Sequence, residues 1–302
     1  MLDSPSRPTS LVRLASVLAL ATALLLVVAK FFTWLATGSV AVLGSLVDSV
    51  IDAVASGVNF FAIRQSLVPA DRDHRFGHGK LEALAGLAQA SFVGGSAVFL
   101  FMESIERFVH PRDIAHGWIG IAVMLGSLTV TGLLVLFQRS VVRRTGSLAI
   151  SADAFHYETD VVAYVAVIFA LGLSTHQNLG WVDAVVGVGI AFYMLRGTFE
   201  IGRVAFDQLM DREIPDSIRN RIRDLALAQE GVESIHDLRT RMSGLQYIVQ
   251  FHVALDGGLS LREAHELSDQ VEKAITDVYP QVDIIVHQDP SDIVETVDFR
   301  EP

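Results

Sequence analysis

Apolar positions fall in six long runs over the first two thirds of the chain, near 11–36, 40–66, 81–108, 117–138, 148–173 and 181–207. About twenty predominantly apolar residues is the length a helix needs to cross the hydrocarbon core of a bilayer, so the pattern predicts six transmembrane helices. Between the first two runs, Thr37-Gly38-Ser39 leaves room only for a hairpin at the membrane surface. Past Met210 the runs shorten, and charged residues are interleaved with strand and helix patterns. These predict a helix over 215–229, strands over 235–241 and 246–255, a helix over 260–279 and a strand over 282–287. An αββαβ order is that of a small α+β domain. The expected organisation is an α-helical membrane domain over 1–210, a cytoplasmic α+β domain over 211–290 and a tail over 291–302.

Composition agrees with the pattern: 51% of the 302 residues are hydrophobic and the mean hydropathy is +0.43, above what a soluble domain carries. The first run is long enough to span and lacks a small-residue cleavage site, so it is expected to stay as the first span. Arg7, Arg13, Arg64, Arg72, Arg75, Lys80, Arg139, Arg143 and Arg144 fall on one side of the predicted membrane. Only Arg107 and Arg112 fall in the short loops of the other, so both termini are expected in the cytoplasm. A net charge of −11 without a basic stripe excludes nucleic acid as a partner and suits cations. With no cysteine in the chain, His, Asp and Glu are the available metal ligands.

Those residue types occur where they are most costly. Asp48 and Asp52 in the second run, and His156 and Asp160 in the fifth, are spaced four apart and so share one helical face within each pair. A charged group at the membrane centre costs roughly 2.5–3.5 kcal/mol on insertion scales, and a divalent cation held by both helices would compensate it. The other reading, polar residues tying helices together by hydrogen bonds, serves a lone Asp better than two matched pairs. Glu158, two residues from His156, points to the opposite side of its helix and is not expected in the same site. Lys30, inside the first run, reads either as a snorkelling anchor or as an internal counter-charge. Asp71, His74 and His78 in the loop between runs two and three could close on a metal, although a solvated polar loop would look similar. The C-terminal domain holds His236, His252, His265 and the sequence His287-Gln288-Asp289, whose histidines either converge on one sheet edge or are ordinary surface residues.

Taken together, Asp48-x-x-x-Asp52, Pro69-Ala70-Asp71 through His74, Gly77-His78-Gly79-Lys80, His156-x-x-x-Asp160, His236-Asp237-Leu238-Arg239-Thr240-Arg241 and His287-Gln288-Asp289-Pro290 resemble the cation diffusion facilitators. Within that family the chain is similar to the YiiP/FieF-like bacterial zinc and iron efflux transporters, over nearly its whole length. The resemblance implies a six-span homodimer in the bacterial inner membrane with a metallochaperone-like cytoplasmic domain, exporting divalent metal in exchange for protons. It implies a transport site of Asp48, Asp52, His156 and Asp160 and a loop site of Asp71, His74 and His78. It further implies a cytoplasmic binuclear site of His236, His252, His265, His287 and Asp289, with Gln288 as a weaker ligand. Lys80 and Asp211 match a charge interlock near the membrane surface, and Phe155, where relatives commonly carry an aliphatic residue, stands where a hydrophobic gate would close.

One imidazole with three carboxylates suits tetrahedral Zn²⁺ and also accepts Cd²⁺ or Fe²⁺, whereas an all-oxygen site would favour Mn²⁺ or Mg²⁺. An intramembrane metalloenzyme is the rival from another class, but the His-Glu-x-x-His helix motif is absent. A metal sensor is a third reading, and it predicts binding without flux.

Overall fold

The computed structural model describes residues 7–109, 118–174 and 180–292. Arg112 and the expected tail beyond Asp292 lie outside them. The chain divides into two compact units, Met1–Phe206 and Asp207–Pro302.

The first unit consists of α1 (Arg7–Thr37), α2 (Val40–Ser66), α3 (Lys80–Val109), α4 (Trp118–Thr145), α5 (Leu148–Ser174) and α6 (Gly180–Leu209). Five of these are long and apolar enough to cross a membrane with few charges. The other, α5, is as long but carries Asp153, Glu158 and Asp160 in its first half. It is also the helix at the centre, packing against α1, α2, α3 and α4. Its neighbours approach closely because they offer small side chains: Ala15, Ala19 and Ala23 are buried along α1, and Ala83, Ala90 and Ala97 along α3. Helix α6 packs on α3 by the same means. A Cβ added at Gly187 would lie 2.2 Å from Ser104 Oγ and 3.3 Å from its Cβ, so a larger residue there would push Ser104 aside.

One expectation needs correcting. Arg107, expected in a short loop, lies in the last turn of α3, and α4 continues past the apolar run that ends at 138, so Arg139, Arg143 and Arg144 lie in its last turns. Backbone hydrogen bonding continues past the point where the side chains turn polar, which is how a helix leaves a membrane.

The second unit follows the predicted order: α7 (Asp216–Leu227), β1 (Ser234–Ser243), β2 (Gln246–Leu255), α8 (Leu261–Val278) and β3 (Val282–Pro290). The sheet order is β1-β2-β3, with β1 antiparallel and β3 parallel to β2, the parallel pair being joined by α8 as a crossover. Val249, Phe251, Val253 and Leu255 of β2 bury their side chains with Ile222 and Ala226 of α7 and Val271 and Ile275 of α8. Helix α8 begins at a capping box, in which Ser260 Oγ accepts from Glu263 N and the Glu263 carboxylate accepts from Ser260 N. The Ser260 hydroxyl, which donates to the Glu263 carboxylate at 2.7 Å, and the Ser260 N–H hold the Glu263 carboxyl below its ordinary value.

Candidate functional site

Helices α2 and α5 meet at Asp52 and His156. His156 Nε2 and Asp52 Oδ1 lie 3.1 Å apart, and Asp160, one turn along α5, completes a group whose ligand-type atoms all fall within 4.8 Å of one another. His156 is 7% exposed, and its Nδ1 is buried without a hydrogen-bond partner. Asp48, one turn before Asp52 on α2, is exposed and lies outside that group. Of the four residues expected at this site, three are therefore drawn together within the chain.

Two features flank the cluster, of which only the first had no counterpart in the sequence reading. Asp153, three residues before His156 and 0% exposed, accepts hydrogen bonds from Gln89 Nε2 on α3 (2.9 Å) and Gln138 Nε2 on α4 (2.6 Å). Amides replace water around this carboxylate, the arrangement a buried polar group requires. The available signal was its spacing: three residues before His156 it shares that residue's helix face. On the other side of the cluster, Lys30 of α1 is 3% exposed and donates to Ser49 Oγ of α2 at 2.7 Å. Of the two readings of Lys30, its burial excludes the snorkelling anchor.

The opposite face of α5 points elsewhere. Glu158 accepts from Arg139 and from Tyr193 OH (2.7 Å), well away from the cluster face as its spacing predicted. Phe155 packs against Gly197 of α6, where an added Cβ would lie 2.0 Å from the ring, and its ring centroid is 5.7 Å from that of Tyr193. These residues, with Arg143 and Arg196, line a cavity of about 470 Å³ between α4, α5 and α6.

The loop between α2 and α3 brings together Asp71, His74 and His78. Asp71 Oδ1 accepts from the backbone N–H of His74 (2.6 Å) and of Asp73 (2.9 Å), and these bonds hold its carboxyl below the usual carboxylate range. His78 Nε2 lies 3.3 Å from Asp71 Oδ2. Lys80 opens α3. In the second unit Asp211, left-handed at φ 56°, accepts from Arg241 Nη1 at 3.1 Å.

Strand register builds the C-terminal cluster. His236 pairs with His252 across β1 and β2, and His252 with His287 across β2 and β3, so three imidazoles form one row with ring centroids 5.1 and 4.5 Å apart. Asp289 is its hub: Oδ2 lies 2.7 Å from His252 Nδ1 and 3.2 Å from His236 Nε2, and Oδ1 lies 3.2 Å from His287 Nε2. A β-bulge after His236, with Asp237 left-handed at φ 51°, marks the edge of this row. Two expected ligands do not join it. Gln288 takes the alternate position along β3 and donates to Ser268 Oγ of α8 at 2.8 Å, and His265 is exposed on α8 beside Asp269.

Comparison with known proteins gives two family matches. Residues 16–210 match the cation efflux transmembrane domain, and residues 214–291 match the cytoplasmic domain of cation efflux proteins. The cation-efflux pump FieF of Salmonella choleraesuis (strain SC-B67) is 45% identical over 286 residues, covering 94% of each chain. The pump of the same name from Escherichia coli O1:K1 / APEC gives the same identity and coverage. Among solved structures, the zinc form of the putative zinc transporter CzrB aligns with a TM-score of 0.27 at 28% identity, covering 28% of this chain and 98% of that one. The metal-bound C-terminal domain of the CzcD transporter from Thermotoga maritima aligns with a TM-score of 0.25 at 25% identity, covering 26% and 93%.

Proposed function

Because the chain belongs to the cation efflux family, a family of transporters and not of enzymes, we propose that it is a proton-coupled exporter of divalent transition metal, Zn²⁺ first, with Cd²⁺ or Fe²⁺ also accepted. It is a multi-pass membrane protein. In this reading it lies in the bacterial inner membrane as a homodimer with both termini in the cytoplasm, and the ion is its cargo.

The observation that carries the reading is the convergence of Asp52, His156 and Asp160 on one point between two membrane helices. One nitrogen among oxygen donors suits Zn²⁺ over Mn²⁺ or Mg²⁺. The buried, unpartnered Nδ1 of His156 is a polar atom that a bound species would satisfy. Asp48, one turn away, is the fourth ligand once α2 turns slightly on its axis. Metal binding needs a neutral imidazole and ionised carboxylates, so protons and metal compete for the same atoms, and that competition is the physical basis of exchange. Moving a dication out against 100 mV costs roughly 4.6 kcal/mol, and each returning proton gives back about 2.3.

The cytoplasmic row of His236, His252 and His287 around Asp289 is read as a regulatory metal site. His265 and Gln288 contribute to it only after rearrangement or from a second copy. The loop site, a Lys80–Asp211 interlock and a gate at Phe155 complete the proposal. Metal uptake into proteoliposomes under an imposed pH gradient tests it: flux that follows the gradient is expected, and binding without flux would favour a sensor.

A further inference from the structure

The ion cluster has a resident cation beside it. Helices α2 and α5 run so that Asp52 meets His156. One turn farther toward the α1–α2 connection stand Asp48 and Ser49 on α2 and Asp160 on α5, and one turn beyond those stand Ser45 and Tyr164. Lys30 reaches between these last two layers from α1. Its ammonium donates to Ser49 Oγ at 2.7 Å and to Ser45 O at 3.3 Å, lies 3.5 Å from Tyr164 OH, and sits 5.9 Å from the centre of the Tyr164 ring. Asp52, Asp160 and Asp48 are the carboxylates whose charge acts on it. It makes no hydrogen bond to any of them. The ammonium is held by neutral oxygens, which fix its position without neutralising its charge.

We propose that Lys30 is a counter-cation built into the ion site, weakening the hold of Asp48, Asp52 and Asp160 on a dication so that the ion can leave. The inference rests on the reading of this cluster as the transport site. Three carboxylates shielded only by membrane would bind a dication too tightly to release it, since charges interact far more strongly there than in water. With the ammonium beside them, the group carries two formal negative charges, the complement of a dication. Asp153 lies on the other side of His156, held by amide N–H groups, and does not face Lys30. The position of Lys30 toward the α1–α2 connection also puts it at one end of the site, where a departing ion would meet it.

Zn²⁺ titration calorimetry of the full chain tests this. The binding component that disappears in Asp160→Asn identifies the cluster. If the wild type has no such component, the transport-site reading fails and the inference falls with it. Given that component, Lys30→Gln is expected to bind Zn²⁺ at least tenfold more tightly and to release it more slowly in stopped-flow exchange with a chelator. Lys30→Arg, which keeps the charge, is expected to stay within about threefold of wild type. A purely structural lysine would lower thermal stability in both variants and leave the dissociation constant unmoved, and that result overturns the proposal. If Lys30→Gln does not fold, Lys30→Met keeps the apolar stem and removes the charge. At least tenfold tighter Zn²⁺ binding in that variant supports the proposal, and wild-type affinity overturns it.

Discussion

The hydroxyls of Ser56 on α2 and Tyr157 on α5 lie 2.7 Å apart, both buried, one turn along α2 from Asp52 and one residue from His156. This contact fixes the register of the two helices at the level where Asp52 and His156 meet. The Tyr157 hydroxyl also lies 3.3 Å from Ala19 O, so α1 is held in the same arrangement. Tyr157→Phe is expected to cost about 1 kcal/mol of stability. It should also weaken metal binding at the cluster severalfold. A double-mutant cycle with Ser56→Ala, read by thermal unfolding and by Zn²⁺ titration, separates the shared hydrogen bond from loss of packing.

Asp52→Ala and Asp160→Ala each remove a proposed ligand and a half-buried carboxylate and are expected to abolish metal flux while the protein remains folded. Transport assays in proteoliposomes at matched protein content check this, and wild-type rates in either variant would exclude the cluster as the transport site. His156→Asp converts the site to oxygen donors and is expected to raise the Mn²⁺ to Zn²⁺ transport ratio.

Asp153 tests whether the amide cage is structural. Asp153→Ala leaves the side-chain N–H groups of Gln89 and Gln138 without their acceptor, at an expected cost of about 3 kcal/mol. Asp153→Asn retains the shape and should cost less. Thermal unfolding in detergent ranks the two, and equal stability in both would show that the amides find other partners.

In the C-terminal domain, replacing His236 and His287 together with Ala removes two of the three imidazoles around Asp289. Two acidic domains should repel until bound cations neutralise them, so the double variant is expected to dimerise more weakly in the presence of Zn²⁺. Flux through the membrane site should persist with less sensitivity to cytoplasmic metal. Sedimentation of the full chain with and without Zn²⁺, beside a flux assay, measures both.

The Asp71 loop should loosen in acid. Its carboxyl is held below the ordinary carboxylate value in the folded loop, chiefly by the His74 N–H. A depressed folded value means that the contribution is fully present above the unfolded value, near 3.9, and is lost as pH falls through the folded one. Hydrogen-exchange protection of the His74 and Asp73 amides, corrected for intrinsic rates, should hold at neutral pH and fall in acid. In Asp71→Asn it should be weak at every pH.

Much of this architecture is written locally. A helix or strand is specified by the spacing of apolar side chains along a few turns, so the six membrane helices and the order α7, β1, β2, α8, β3 follow from the sequence alone. The same locality makes His156 and Asp160 share a face and turns Glu158 away from them. Strand alternation likewise separates Gln288 from His287 and Asp289. What the sequence could not supply was the identity of partners from distant elements. Only the packing of α1 against α2 puts Lys30 at Ser49, and only the meeting of α3 and α4 on α5 surrounds Asp153 with amides. Only sheet register makes a row of His236, His252 and His287. These contacts join residues remote in the chain, and their free energy depends on how whole faces interlock, which no local pattern of apolar and polar residues encodes.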